Sequence, residues 1–174
     1  LGPAEIPPKN SWLNQYCLSY AAINEIEFNP PKTHPFNPLA ALRMSLKEVS
    51  GADQLKVIDV IFKGGWSQGA DLGDLSTLIS LLAKQSINGE ILSQKISETE
   101  IKNLLINETN NAIQKGVFGV PTIIIDDNLF WGNDQMDHIE LLLDGKDPLD
   151  REKLNDQLRP RAIDRKALKK KDKE

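Results

Sequence analysis

The chain has 174 residues, a formal net charge of −4 and one cysteine, which is enough length for one core or for a small domain carrying an insertion. Its charge is divided: residues 1–150 hold 11 basic and 20 acidic side chains, net −9, and residues 151–174 hold 10 and 5, net +5. An acidic body argues against a nucleic-acid-binding domain, no apolar run nears the roughly 18 residues of a membrane span, and a lone Cys17 excludes an intramolecular disulfide and fits a reducing, cytoplasmic setting.

Cys17 with His34 and His138 gives no metal-ligand spacing, and Gly64-Gly65 and Gly69 lack the strand-to-helix setting of a phosphate loop. Leu1-Gly2-Pro3-Ala4-Glu5 is not a signal peptide, and the absence of an initial Met makes a processed or partial N-terminus the expectation.

Pro3, Pro7 and Pro8 read as an extended start, after which Asn10 or Ser11 caps a helix to about Glu27 with Leu13, Cys17, Tyr20 and Ile23 on one stripe. Cys17 reads there as a small hydrophobe, since nothing basic lies beside it in sequence to lower its pKa. Phe28 to Pro38 is a loop in which His34 reads as a plain member. Asn37-Pro38 is a helix cap with proline at the first helical position, and the helix uses Leu39, Leu42, Leu46 and Val49 before Gly51.

A third helix, Asp53 to Lys63, is predicted to bury Leu55, Ile58, Ile61 and Phe62 and to close at Gly64-Gly65, with Trp66 to Gly73 as a connection. Asp74 caps the next helix, with Leu75, Leu78, Ile79 and Leu82, and Asn88-Gly89 breaks it. Ser97-Glu98-Thr99-Glu100 has the form of a capping box for the longest helix, which carries Ile101, Leu104, Leu105, Ala112 and Ile113 to Gly116.

From Lys115 to Asp134 the chain reads Lys-Gly-Val-Phe-Gly-Val-Pro-Thr, three isoleucines, Asp-Asp-Asn, Leu-Phe-Trp and Gly-Asn-Asp. This is a helix end, a loop, a strand, a tight turn, a second strand and a helix start. The isoleucine run predicts a strand buried on both faces. Val120-Pro121 is either an ordinary trans proline opening a strand or a cis proline. A cis bond would leave the Val120 N–H and C=O free to pair with an extended peptide. Asn133 and Asp134 either cap the last helix, which carries Met136, Ile139, Leu142 and Leu143, or present a dipole and a carboxylate to a ligand. Beyond Pro148 the basic residues read as a mobile tail, and Arg159-Pro160-Arg161 breaks any helix.

Gly-Val-Phe-Gly-Val-Pro-Thr, the apolar strand and turn, and Phe-Trp-Gly-Asn-Asp-Gln together resemble the C-terminal signature of the 2-hydroxychromene-2-carboxylate isomerases and kappa-class glutathione transferases, glutathione-dependent relatives of DsbA. The resemblance runs from about Glu5 to Pro148 and is specific between Lys115 and Asp134. It implies an α/β, thioredoxin-like fold with an inserted all-helical domain. Residues 1–115 would form the helical insertion and the helix returning from it, 116–148 the hairpin and last helix of the thioredoxin-like part, and 149–174 the tail.

As site residues the resemblance implies Val120, Pro121, Trp131, Gly132, Asn133 and Asp134 for glutathione, with Phe36, Asn37 and Trp66 toward the acceptor. Capping and packing account equally well for those last three, and Trp131 reads as packing under the turn. The family's N-terminal β-α-β unit, with its catalytic serine, is expected before Leu1, so this chain alone is expected to be inactive. First-helix Ser19-Tyr20 stands where family members carry an arginine and a tryptophan.

The implied reaction is reversible addition of a glutathione thiolate to a small aromatic pyruvate-type acid, in a homodimer that needs neither nucleic acid nor membrane. Two other readings stand beside it: a DsbA-like disulfide oxidoreductase or kappa-type transferase, distinguished by Cys-x-x-Cys or serine on the upstream turn, and a non-catalytic peptide-binding module. If a residue of this chain replaced the upstream serine, Ser11 and Cys17 would be the first candidates.

Overall fold

The structure, a computed structural model, describes residues 5–158. The expectations for Leu1 to Ala4, for Arg159-Pro160-Arg161 and for Lys169-Lys170-Lys171 lie outside the described residues. The chain divides into two units, residues 1–112 and 113–174.

The first unit is helical: α1 (Pro7–Ile23), α2 (Leu39–Met44), α3 (Lys47–Ser50), α4 (Gln54–Trp66), α5 (Leu75–Ala83), α6 (Gly89–Lys95) and most of α7 (Thr99–Gln114). Its core gathers Met44 and Val49 from α2 and α3, Val57 and Ile61 from α4, Leu78 and Leu82 from α5, Leu92 from α6 and Ile101 from α7. Phe36, Ala40, Leu46, Val60 and Ala70 pack against it.

Helix α1 begins at Pro7, not at Asn10 or Ser11, because prolines are tolerated at the first two helical positions, where no intrahelical N–H bond is lost. Its expected stripe is not covered: Ala21 is its buried residue, Cys17 is half-buried and Ile23 is exposed. The helix expected from Leu39 to Gly51 is two helices, broken where Leu46 turns extended at ψ 143°. Ala41 and Met44 are buried there, while Leu39 and Leu42 are exposed.

Gly64 and Gly65 do not end α4, which runs on to Trp66. They are contact positions: a Cβ on Gly64 would lie 2.5 Å from Leu81 Cδ1, and one on Gly65 would lie 2.5 Å from Leu72 Cδ1. Val57 and Ile61 form the buried side of α4, so the expected Leu55 and Phe62 are exposed instead. Asn88 and Gly89 do not stop α5, which ends at Ala83, but start α6. The Asn88 Oδ1 accepts from Ile91 N–H at 3.1 Å, and Gly89 sits against the α5 backbone, with a Cβ there 2.8 Å from Ile79 Cα.

Ser97 does not close a capping box, since its hydroxyl donates to the Ser93 carbonyl at 3.4 Å and α7 begins at Thr99. Asp74 caps α5 as expected. Its Oδ2 accepts from Thr77 N–H (2.9 Å), Thr77 Oγ1 (2.7 Å) and Ser76 Oγ (2.6 Å).

These bonds, led by the Ser76 and Thr77 hydroxyls, hold the Asp74 carboxyl down to about 2, below the ordinary 3.8. Because the folded value lies below the unfolded one, the cap's contribution is complete above the unfolded pKa. It is lost as pH falls from about 4 through about 2. Helicity of the wild type at 222 nm is therefore expected to fall further in that window than helicity of Asp74→Asn, which keeps an uncharged acceptor. Superimposable titrations would remove the role.

The second unit holds β1 (Thr122–Ile125), β2 (Asn128–Trp131), a 3₁₀ turn (Asn133–Gln135), α8 (Met136–Leu143) and α9 (Arg151–Gln157). Part of the expected tail is thus a helix. Asp150 caps it by accepting from Lys153 N–H at 3.0 Å, and Arg151 donates to Asn128 Oδ1 (2.8 Å) and Asp147 Oδ2 (3.3 Å). The antiparallel hairpin pairs Thr122 with Trp131 and Ile125 with Asn128 across Asp126-Asp127, where Asp126 takes φ +51°. The isoleucine run is not buried on both faces: Ile123 and Ile125 are half-buried and Ile124 is 40% exposed. Among the described residues each strand has only the other as a neighbour.

Candidate functional site

The residues expected to hold glutathione meet at the open end of this hairpin. Gly116, at φ +86°, ends α7. Val117 to Gly119 then cross to Val120-Pro121, whose peptide bond is cis. Thr122 Oγ1 donates back to the Gly119 carbonyl at 2.6 Å, tying the two sides of the Val120-Pro121 step together.

Gly132 N–H donates to the Pro121 carbonyl at 3.0 Å. In an antiparallel pair of this register a second bond would return from residue 121, but proline has no N–H to give. That single bond sets Val120-Pro121 beside Gly132-Asn133-Asp134. Val120 is 85% exposed, and among the described residues its N–H and C=O have no hydrogen-bond partner. Two unpaired main-chain groups at a strand end are what an extended peptide backbone takes up in strand addition.

Gly132 adopts φ +107°, ψ 159°, a conformation essentially confined to glycine, and turns the chain into the 3₁₀ turn leading α8. Neither Asn133 nor Asp134 caps that start with its side chain. The alternative of simple helix capping is therefore not what the structure forms. The Asp134 carboxylate is exposed and has no hydrogen-bond or ion-pair partner among the described residues. The first-turn N–H groups beside it carry the positive end of a helix dipole.

Trp131 does not pack under the turn. Its indole covers Gly119, where a Cβ would stand 2.5 Å from Nε1, and its ring centroid is 5.2 Å from that of Phe118. Trp131 stays 52% exposed, so the loop before the proline carries an aromatic wall. Phe118 was not singled out from the sequence, and its place between two glycines was the available signal.

Phe36 and Trp66 come together in the first unit, where both line an apolar cavity of about 140 Å³ with Leu42, Ser45, Phe62 and Leu72. Trp66 is the last residue of α4 rather than a loop residue. His34 is not a plain loop residue: its ring meets Trp66 at 5.4 Å and Phe36 at 5.9 Å, both edge-on, and Phe28 lies parallel to Trp66 at 6.4 Å. Asn37 does not line the cavity. Its Oδ1 accepts from Leu39 N–H at 3.1 Å, the capping role.

A larger depression of about 530 Å³ lies at the turn end of the hairpin, lined in part by Leu129, Phe130, His138 and Arg151. It is separate from the Val120 and Asp134 groups, and its guanidinium is already engaged by Asp147 and Asn128. Among the described residues no group of three or more His, Cys, Asp or Glu could hold a metal ion, and no helix is long and apolar enough to cross a membrane.

A β-hairpin entered through a cis proline and followed at once by a helix, in a chain that also carries an all-helical unit, fits an α/β protein of thioredoxin-like fold. The model of the DSBA-like thioredoxin domain matches residues 1–144, and the chain belongs to that family. The 2-hydroxychromene-2-carboxylate isomerase of Sphingobium xenophagum is 28% identical over 94 residues, 53% of this chain and 48% of that protein. The protein of the same name from Pseudomonas putida is 31% identical over 85 residues, 48% of this chain and 41% of that one. The chain thus spans about half the length of the curated relatives it matches. A solved structure of 2-hydroxychromene-2-carboxylate isomerase superposes with a TM-score of 0.74 at 21% identity, covering 83% of this chain and 70% of that one, a likeness of fold.

Proposed function

We propose that this protein is a glutathione-dependent isomerase of the 2-hydroxychromene-2-carboxylate isomerase type, cytoplasmic, acting on a small aromatic pyruvate-type acid. The observation that carries the reading is the Gly132 N–H bond to the Pro121 carbonyl, which places two unpaired main-chain groups of Val120 beside a free carboxylate at a helix start. Glutathione has matching parts. Its cysteinyl backbone pairs with Val120 while its γ-glutamyl carboxylate faces the first-turn N–H groups and its ammonium faces Asp134.

The names of the curated relatives support isomerisation as the reaction type. In this reading glutathione supplies the nucleophilic thiol, which adds to a conjugated carbon and leaves after bond rotation or ring opening. The protein docks and orients it. A serine hydroxyl, as the family resemblance implies, stabilises the thiolate. Dimerisation is part of the same proposal.

Titrating glutathione into the wild type and Asp134→Ala by calorimetry tests the docking. Loss of one charge-assisted hydrogen bond at an exposed site is expected to weaken binding about tenfold. The melting temperature should change little, because the Asp134 side chain makes no hydrogen bond within the described residues. Equal affinities would remove the glutathione site.

A further inference from the structure

A second depression, of about 310 Å³, shares Pro148, Leu149 and Leu154 with the larger one at the hairpin turn and extends along α9 to Gln157. The two make one open groove within the second unit. Its floor is apolar, from Leu129 and Phe130 at the wide end to Leu149 and Leu154 midway, and Leu149 is left exposed. Its rim is acidic. Asp127 lines the wide end with no hydrogen-bond or ion-pair partner among the described residues, whereas Asp147 is held by Arg151. The groove also follows β2, which among the described residues has no neighbour on its side away from β1, and an open strand edge is a surface that folded chains cover.

Where the groove ends, the chain continues. Gln157 is the last residue of α9, and Leu158 after it is exposed. Residues 159–174 carry 8 basic and 3 acidic side chains, net +5, against 4 basic and 10 acidic, net −6, in residues 113–158. Among those basic residues stand two apolar pairs, Ala162-Ile163 and Ala167-Leu168. Reach is not limiting. The seven residues of α9 rise about 10 Å, and the five from Arg159 to Ile163 span up to about 16 Å when extended, so a segment returning along α9 brings Ile163 as far as Leu129 and Phe130.

We propose that this groove seats the chain's own residues 159–174, with Ile163 on the apolar floor and Arg161, Arg165 and Lys166 facing Asp127. Opposite charge draws the segment in, and apolar burial holds it there. A small molecule is a poorer occupant, because a groove open along its length buries less of it than a pocket does. An external basic peptide is also at a disadvantage, since the covalent link gives the attached segment an effective concentration on the order of millimolar.

The test uses the whole chain without glutathione. A carbodiimide joins lysine amines to carboxylates in direct contact, and mass spectrometry locates the joined peptides. Lys166 and Lys169 are expected to be joined to Asp127 within one chain. Ile163→Ser, which leaves every residue of the groove in place, should lower that yield about tenfold, the scale of losing one buried aliphatic side chain. The methyl signals of Leu149 and Leu154 should shift between the parent and the same variant. Joining of these lysines to the exposed Asp134, Asp137 and Glu140 as readily as to Asp127, or a yield indifferent to Ile163→Ser, would overturn the assignment. So would links found only between chains when labelled and unlabelled preparations are mixed, the result expected of a second copy in the groove.

Discussion

Gly132→Ala is expected to lower the melting temperature by several degrees and to abolish measurable glutathione binding. Two costs act together. An L side chain at φ +107° and ψ 159° is strained by about 1–3 kcal/mol, and its Cβ would collide with Asp134 Oδ1. Relief requires either rotating Asp134 away or opening the bond from Gly132 N–H to Pro121 O, and each change dismantles the arrangement beside Val120. Gly145→Ala is the control, since φ there is +70° with no atom within 4 Å of the added Cβ. It should show only the left-handed backbone cost of about 1–2 kcal/mol, with binding intact. Equal behaviour of the two variants would mean that the Gly132 geometry does not hold the site.

Gly89→Ala should be the most destabilising glycine-to-alanine substitution in the helical unit, at about 1–3 kcal/mol by urea denaturation. The added Cβ meets main chain, with Ile79 Cα at 2.8 Å and Ile79 O at 3.0 Å, and main chain inside a helix cannot rotate aside as a side chain can. Helices α5 and α6 would have to separate, disturbing the buried Leu78, Leu82 and Leu92. Gly64→Ala makes the opposite comparison. Its Cβ meets Leu81 methyls, and up to about 1 kcal/mol of helix propensity is regained in the last turn of α4. A cost at Gly64 matching that at Gly89 would refute the backbone-contact argument.

Much of the second unit was legible because its signals are local. A proline removes a donor, Asp-Asp between two apolar runs makes a tight turn, and a glycine after an apolar run marks a helix end. These properties act over a few residues, so the hairpin, its turn and the start of α8 follow from the chain order. The family signature from Lys115 to Asp134 lies in the same short span.

Most helices of the first unit were legible for the same reason, α6 excepted because Gly89 reads as a breaker, and Asp74 and Asn37 cap as their types predict. Which face each helix buries was not. Leu55 and Phe62 are as apolar as Val57 and Ile61, so periodicity alone left the choice open. Contacts from distant segments decided it. Gly64, Gly65 and Gly89 read as helix breakers in one dimension, yet in three they are where Leu81, Leu72 and the α5 backbone come close. His34 acquired its place between Phe36 and Trp66 in the same way, since the two rings are thirty positions apart in the chain.

What the sequence by itself determined, then, is the set of elements and the local chemistry of the Val120 to Asp134 turn. Those depend on backbone freedom and neighbouring side chains. Tertiary structure alone decided the buried faces, the unpaired state of the Val120 main chain and the free carboxylate of Asp134. A hydrogen-bond partner is defined by position in space, and a residue of capping type caps only when the backbone brings an N–H within its reach.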